Sequence, residues 1–156
     1  LYELLDDQGY ANFLVEIGGE IRVKGDKDGL GWKIAIEKPL KSERAVEQLL
    51  LLKNVALATS GDYRNYREID GVAYSHTIDP STGRPVTHQL ASVTVADSEC
   101  AMADGWATTL LVLGLEKGFE LAVSRNLPAL FIERSYNGFV VKQTPRFERL
   151  LAGEAE

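Results

Sequence analysis

Apolar and polar positions alternate along FLVEIGGEIRVKG (13–25), and Gly18-Gly19 interrupts the alternation. That pattern predicts a strand, a bend or bulge, and a second strand. LGWKIAIEKP reads as a further strand stopped by Pro39. SERAVEQLLLL (42–52) has the spacing of a helix, and VALATSG after it reads as a short apolar strand. NYREIDGVAYSHTI predicts a hairpin of aromatic and β-branched runs around an Asp70-Gly71 turn. DPSTGRP is a dense turn cluster, and QLASVTVAD is another strand, ending where Asp97 or Ser98 can cap a helix.

That helix, CAMADGWATTLLVLGL, is punctuated by Gly114. LEKGFELAVSRN continues as a second helix that Pro128 ends. PALFIER and GFVVKQ close the chain as a hairpin across SYNG. Antiparallel strands with helices inserted late predict an α+β fold: a mainly antiparallel sheet with helices packed on one face. No repeat, low-complexity tract or linker divides residues 1–156, so one domain is expected.

Composition narrows the partners more than the fold. A net charge of -6, with no Lys/Arg cluster, argues against nucleic acid or an anionic membrane surface. The single cysteine, Cys100, rules out an internal disulfide, and no apolar run approaches a membrane span. The first residue is not Met, and Leu1, Leu4 and Leu5 form half of an amphipathic helix. We therefore expect a longer parent chain, with any targeting segment upstream.

The apolar helix raises a chemical question, because its middle keeps one carboxylate. Asp104 and Thr108 lie about 40° apart on one face and about 6 Å apart along the axis. Their neighbours on that face are Cys100, Ala101, Ala107, Leu111 and Val112, and none is a cation. An ionised carboxylate in such surroundings costs several kcal/mol unless a positive group compensates it. Three arrangements answer the question: an arginine from elsewhere, a Thr108 that bonds only its own helix backbone, or a hard metal ion. Carboxylate and hydroxyl oxygens one helical turn apart suit Mg²⁺, which takes oxygen ligands and few protein groups.

Three other stretches carry chemistry. In YSHTIDPSTGRPV, His76 near a strand end has a side chain suited to general-base work near neutrality. Ser81, Thr82 and Gly83 supply hydroxyls and free amides in a tight turn, a concavity of the kind that binds phosphate. A hydrogen-bonded structural histidine beside an ordinary Asp-Pro turn fits the same residues. Ser60-Gly61-Asp62 follows a strand where a sheet edge opens, either as a ligand contact or as a turn with an Asp cap. Gly18-Gly19 is either a bulge or a close approach of a ligand to the backbone. His88, beside a loop, reads as solvated. Neither the GxGxxG nor the GxxxxGK phosphate-binding pattern is present.

In order, LVEIGGEIRVKG, ALATSGDY, HTIDPSTGRPV and SVTVADSECAMADGWATTLLVLG resemble the ApbE family, the FAD:protein FMN transferases, over nearly the whole chain. The run His-x-Ile-Asp-Pro-x-Thr-Gly together with Ala-Asp-x-x-x-Thr is specific. The resemblance implies an ApbE-like, T-fold-like half and transfer of FMN from FAD to a Thr or Ser hydroxyl of a target protein, with Mg²⁺ and release of AMP. It implies metal ligation by Asp104 and Thr108, a catalytic His76, and flavin contacts at Ile78, Asp79, Thr82 and Gly83. Gly18, Gly19, Ser60 and Gly61 match glycine-rich turns of the family and are assigned to the flavin site. The implied partners are FAD and a subunit of a membrane redox complex. The implied location is the periplasmic side of the cytoplasmic membrane, through a lipid anchor on the parent.

The family also carries an upstream half with an Asp-Leu-Gly-Ala-Ile-Ala-Lys-Gly-like segment, and nothing like it precedes Leu1. We therefore expect residues 1–156 to be the C-terminal part of such a domain. Alone, this part is expected to bind FAD and Mg²⁺ poorly, to be inactive, and to self-associate through the uncovered surface. A Mg²⁺-dependent FAD pyrophosphatase and a non-catalytic flavin-binding domain stay open as alternatives.

Overall fold

A computed structural model describes residues 1–40, 44–62, 66–69 and 72–153. The chain starts with the short helix α1 (Tyr2–Asp7), tied to the sheet by Glu3–Arg22 and Asp6–Lys24 ion pairs and by Tyr2 packing edge-on to Phe13. β1 (Phe13–Ile17) and β2 (Glu20–Lys24) then pair with Ile17 opposite Glu20. Gly18 and Gly19 alone form the turn and take φ of 69° and 107°. A two-residue hairpin turn of this kind needs positive φ, which glycine adopts at no steric cost.

β3 (Trp32–Glu37) ends before Pro39 as expected. Its partner β4 (Val46–Leu52) corrects the sequence reading, because most of the stretch expected to be helical is a strand. Ser42 and Glu43, the start of that stretch, lie outside the described residues. The physical reason is period. Leu50 and Leu52 are buried while Leu49 and Leu51 face outward, so the leucine run alternates by two. A short apolar run does not separate helix from strand by spacing alone, and pairing with β3 decided it.

β5 (Val55–Gly61) and the hairpin of β6 (Tyr66–Ile69) with β7 (Val72–Ser75) form where expected, and the Asp70-Gly71 turn itself lies outside the described residues. β8 (Ile78–Asp79) and β9 (Arg84–Pro85) make a miniature hairpin around the DPSTGRP turn. β10 (Leu90–Asp97) leads into the long helix α2 (Cys100–Ser124), which is broken at Gly114 by φ 76° and ψ 176°. Its N-cap is Glu99, not Asp97 or Ser98; Asp97 Oδ1 instead accepts the Glu99 N–H at 3.1 Å. β11 (Ala129–Ser135) and β12 (Gly138–Gln143) form the expected hairpin. A closing helix, α3 (Pro145–Leu151), was not anticipated, although Thr144-Pro145 is a helix-start pair. Thr144 Oγ1 accepts from Phe147 N at 3.3 Å, so the cap is made.

Six strands form one antiparallel sheet in the order β1-β2-β5-β10-β11-β12, which bears out the α+β expectation. Its two faces are covered differently. Val93, Val95, Ala129 and Phe131 pack against Ala107, Leu110, Leu111 and Ala122 of α2. On the other face Val23, Leu57, Ala96, Leu130 and Ile132 meet Ile34, Ile36, Leu50 and Leu52 of the β3–β4 hairpin and Phe147 of α3. Each fully buried Leu or Phe contributes about 1.5–3 kcal/mol, so both layers are structural necessities. No helix among the described residues is long and apolar enough to cross a membrane.

Candidate functional site

Alternation along β5 sends consecutive residues to opposite faces of the sheet. Ser60, paired with Val93, turns toward α2, and its Oγ lies 2.8 Å from Thr108 Oγ1. Thr59 and Gly61 turn the other way and line a cavity of about 240 Å³ with Glu16, Gly18, Gly19 and Glu37. Three of the glycines predicted for ligand contact therefore share one cavity, while Ser60 serves the helix.

Asp104 and Thr108 lie on an exposed face of α2, and this corrects the expectation of a carboxylate kept dry. The helix is apolar on nearly all sides, but only the side carrying Ala103, Ala107, Leu110 and Leu111 packs on the sheet. Asp104 lines a second cavity, of about 350 Å³, with Cys100, Ala101, Glu20, Arg22 and Tyr2. Among the described residues, neither of the first two arrangements left open by the sequence is seen. Arg22, in the same cavity, gives its guanidinium to Glu3 at 3.3 Å and stacks on the Tyr2 ring at 3.8 Å. Among the described residues Asp104 joins no ion pair. Nor does Thr108 bond its own helix; Thr109 does, donating to Gly105 O at 2.8 Å. Among the described residues no three His, Cys, Asp or Glu side chains cluster. The donor set on offer to a cation here is therefore a carboxylate and a hydroxyl, hard oxygens that suit Mg²⁺ with its retained waters. Burial against this wall pushes the Cys100 thiol above its ordinary pKa, with the Glu20 charge adding to the effect.

The β8–β9 turn is built around Asp79. Its carboxylate accepts from Ser81 N at 2.8 Å and Ser81 Oγ at 2.7 Å, and its carbonyl accepts from Gly83 N at 2.8 Å. Those Ser81 hydrogen bonds hold the Asp79 carboxyl below the usual carboxylate range. Ile78, Thr82 and Gly83 stay exposed on this hydrogen-bonded turn, and His76 is exposed in the segment leading to it. The hairpin rests on α2, where Lys117 lies close enough to act on Asp79.

Two features escaped the sequence. Arg134 on β11 grips the Asp62 carboxylate with both guanidinium arms, one at 2.9 Å, and so fixes the end of β5 that carries Ser60. Nothing local could reveal this, because the partners are 72 positions apart. His88, expected to be solvated, instead has both ring nitrogens buried without a hydrogen-bond partner among the described residues. Its ring lies against Gly114, where a Cβ would come within 3.1 Å of His88 Cδ2.

These observations describe an α+β domain whose α2 face carries an acid and two hydroxyls, Asp104, Thr108 and Ser60, and whose opposite face carries a glycine-lined cavity beside Thr59 and Gly61. Residues 1–131 match the model of the ApbE family, and the chain belongs to that family. It is 48% identical over 151 residues to the FAD:protein FMN transferase of Vibrio cholerae, a match covering 96% of this chain and 45% of that protein. The same-named protein of Haemophilus influenzae is 48% identical over 150 residues, covering 95% and 43%. Among solved structures, the apo form of the Pseudomonas stutzeri flavinyl transferase ApbE superposes with a TM-score of 0.82 at 42% identity, covering 99% of this chain and 47% of that one. The chain thus spans a little under half the length of the relatives it matches.

Proposed function

We propose that the protein containing this chain transfers FMN from FAD to a Thr or Ser hydroxyl of a target protein, with Mg²⁺ and with release of AMP. The observation that carries this reading is the Asp104–Thr108 pair. Among the described residues its acid joins no ion pair and its hydroxyl meets Ser60 and not the helix backbone, in a chain 48% identical to proteins named for that activity. Asp104 and Thr108 would hold Mg²⁺, which when bound neutralises charge on the pyrophosphate oxygens. His76 takes the proton from the accepting hydroxyl as that oxygen bonds to the FMN phosphorus and the phosphorus–oxygen bond to AMP breaks. The turn at Ile78, Asp79, Thr82 and Gly83 gives an apolar side chain, a hydroxyl and backbone amides for flavin and phosphate contact. Gly18, Gly19 and Gly61 line a cavity on the other face of the sheet, where the backbone lies open to a ligand.

The test incubates the intact protein with FAD, Mg²⁺ and a Thr-bearing target protein, and reads flavin fluorescence on the target in a denaturing gel. A fluorescent target with stoichiometric AMP is the expected result. AMP and FMN without labelling would assign a pyrophosphatase instead, and neither product would leave a flavin-binding domain. His76→Ala is expected to lower transfer by 10²-fold or more, the usual order for losing a general base, while FAD binding is kept. Loss of FAD binding in that variant would move His76 from proton transfer to ligand contact.

A further inference from the structure

We infer that Ser60 is a positioning residue for the metal site: it accepts the Thr108 hydroxyl proton and so aims Thr108 oxygen lone pairs at a cation beside Asp104. This rests on the reading of Asp104 and Thr108 as Mg²⁺ ligands. A hydroxyl has one donor and two lone pairs. If its oxygen faces a cation, its hydrogen must go to another acceptor. In a helix the default acceptor for threonine is the carbonyl four residues back, which selects one of its two common rotamers. Thr109 follows that default with Gly105 O at 2.8 Å. Thr108, the next residue back, does not; its hydroxyl meets Ser60 Oγ at 2.8 Å across the gap between α2 and β5.

Ser60 is itself held. It pairs with Val93 in the central strand register, and two residues on Asp62 is fastened by the Arg134 fork and by its N–H to Ala91 O at 3.1 Å. A hydroxyl on a strand end held by its register with β10 and by the Arg134 fork on Asp62 makes an acceptor whose position does not depend on the metal. Outer partners of this kind orient ligand atoms without touching the ion. Ser60 thus acts through Thr108, not on the cation.

The experiment uses the full-length protein with Mn²⁺ as the probe, titrated by electron paramagnetic resonance with FAD present, alongside the Mg²⁺ dependence of transfer. Ser60→Ala is expected to weaken Mn²⁺ binding about tenfold and to move the Mg²⁺ midpoint by a similar factor, with kcat recovered at saturating Mg²⁺. Ser60→Thr, which keeps the acceptor oxygen, should restore both. In a Thr108→Ala background, Ser60→Ala should add nothing, since its route to the metal is already gone. Unchanged Mn²⁺ affinity in Ser60→Ala would overturn the inference, and a further loss in the Thr108→Ala background would make Ser60 a ligand in its own right. If Thr108→Ala itself leaves Mn²⁺ affinity untouched, the parent assignment of Thr108 fails instead, and the two failures are told apart.

Discussion

The two halves of α2 share a core and differ in the side they turn away from it. Before Gly114 the exposed positions are Ala101, Met102, Asp104, Gly105, Thr108, Thr109 and Leu113, a small and apolar surface with one charge. After Gly114 they are Glu116, Lys117, Glu120, Val123 and Ser124, an ordinary solvated face. Inward, both halves bury small or aliphatic residues, Ala103, Ala107, Leu110 and Leu111 in one and Gly118 and Ala122 in the other. Packing on the sheet therefore does not explain the difference. A helix has no structural need for an acid with no ion-pair partner among the described residues beside a hydroxyl that has left its own backbone, and the first half keeps both.

The largest effect expected separates the halves by activity. Asp104→Ala in the intact protein should lower Mg²⁺-dependent FMN transfer by about 10²-fold or more, in line with losing a charge-bearing group in phosphoryl transfer. Because Asp104 is exposed and joins no described ion pair, its removal should leave thermal stability within about 0.5 kcal/mol. Glu120→Ala, on the solvated half, should change neither quantity. A full transfer rate in Asp104→Ala at low Mg²⁺ would erase the functional distinction between the two faces.

The joint between the halves gives the next effect, on stability. Gly114 sits at φ 76° with the His88 ring packed on its α carbon. Gly114→Ala adds a methyl group to a backbone conformation that costs a side-chain-bearing residue about 1–3 kcal/mol, and that methyl would lie 3.1 Å from His88 Cδ2. Thermal unfolding should show a loss of that order. His88→Ala in the same background should recover the part due to the contact and leave the part due to φ, so the two substitutions should not add. Strict additivity would show that ring and glycine do not meet.

These positions also mark how far the sequence could be read. Elements with a strong period or decisive punctuation were legible: the Gly18-Gly19 hairpin, β10, the break at Gly114 and the closing hairpin. β4 was not, because four consecutive leucines fit a buried helix as well as a half-buried strand until β3 supplies the partner. The family's residues were legible as a motif in chain order. What the spacing of Asp104 and Thr108 could not disclose was exposure, since an all-apolar helix does not say which side the sheet takes. The Ser60–Thr108 and Asp62–Arg134 contacts were equally hidden, because they join residues brought together only when β5 is laid between β2 and β10. A polar side chain beside a loop is usually wet, but here Gly114 makes room for the His88 ring against the helix.

The smallest effect concerns the charge that the second half of α2 lends to the β8–β9 turn. Asp79 has a depressed carboxyl pKa, caused first by the Ser81 hydroxyl, then by the Ser81 amide, then against desolvation by the Thr82 hydroxyl, and last by Lys117. A lowered folded-state pKa means the carboxylate stabilises the turn above the ordinary value of 3.8, and this contribution is lost as pH falls through the depressed value. Ser81→Ala should move the Asp79 midpoint, followed by NMR of its carboxyl carbon, upward toward 3.8, and Lys117→Ala should move it upward by less. The turn should correspondingly loosen at a higher pH in Ser81→Ala than in the parent, seen as earlier exchange of the Gly83 amide that bonds to the Asp79 carbonyl. Should Lys117→Ala give the larger shift, the solvated half of α2 would be holding this turn by charge, and its contrast with the first half would narrow.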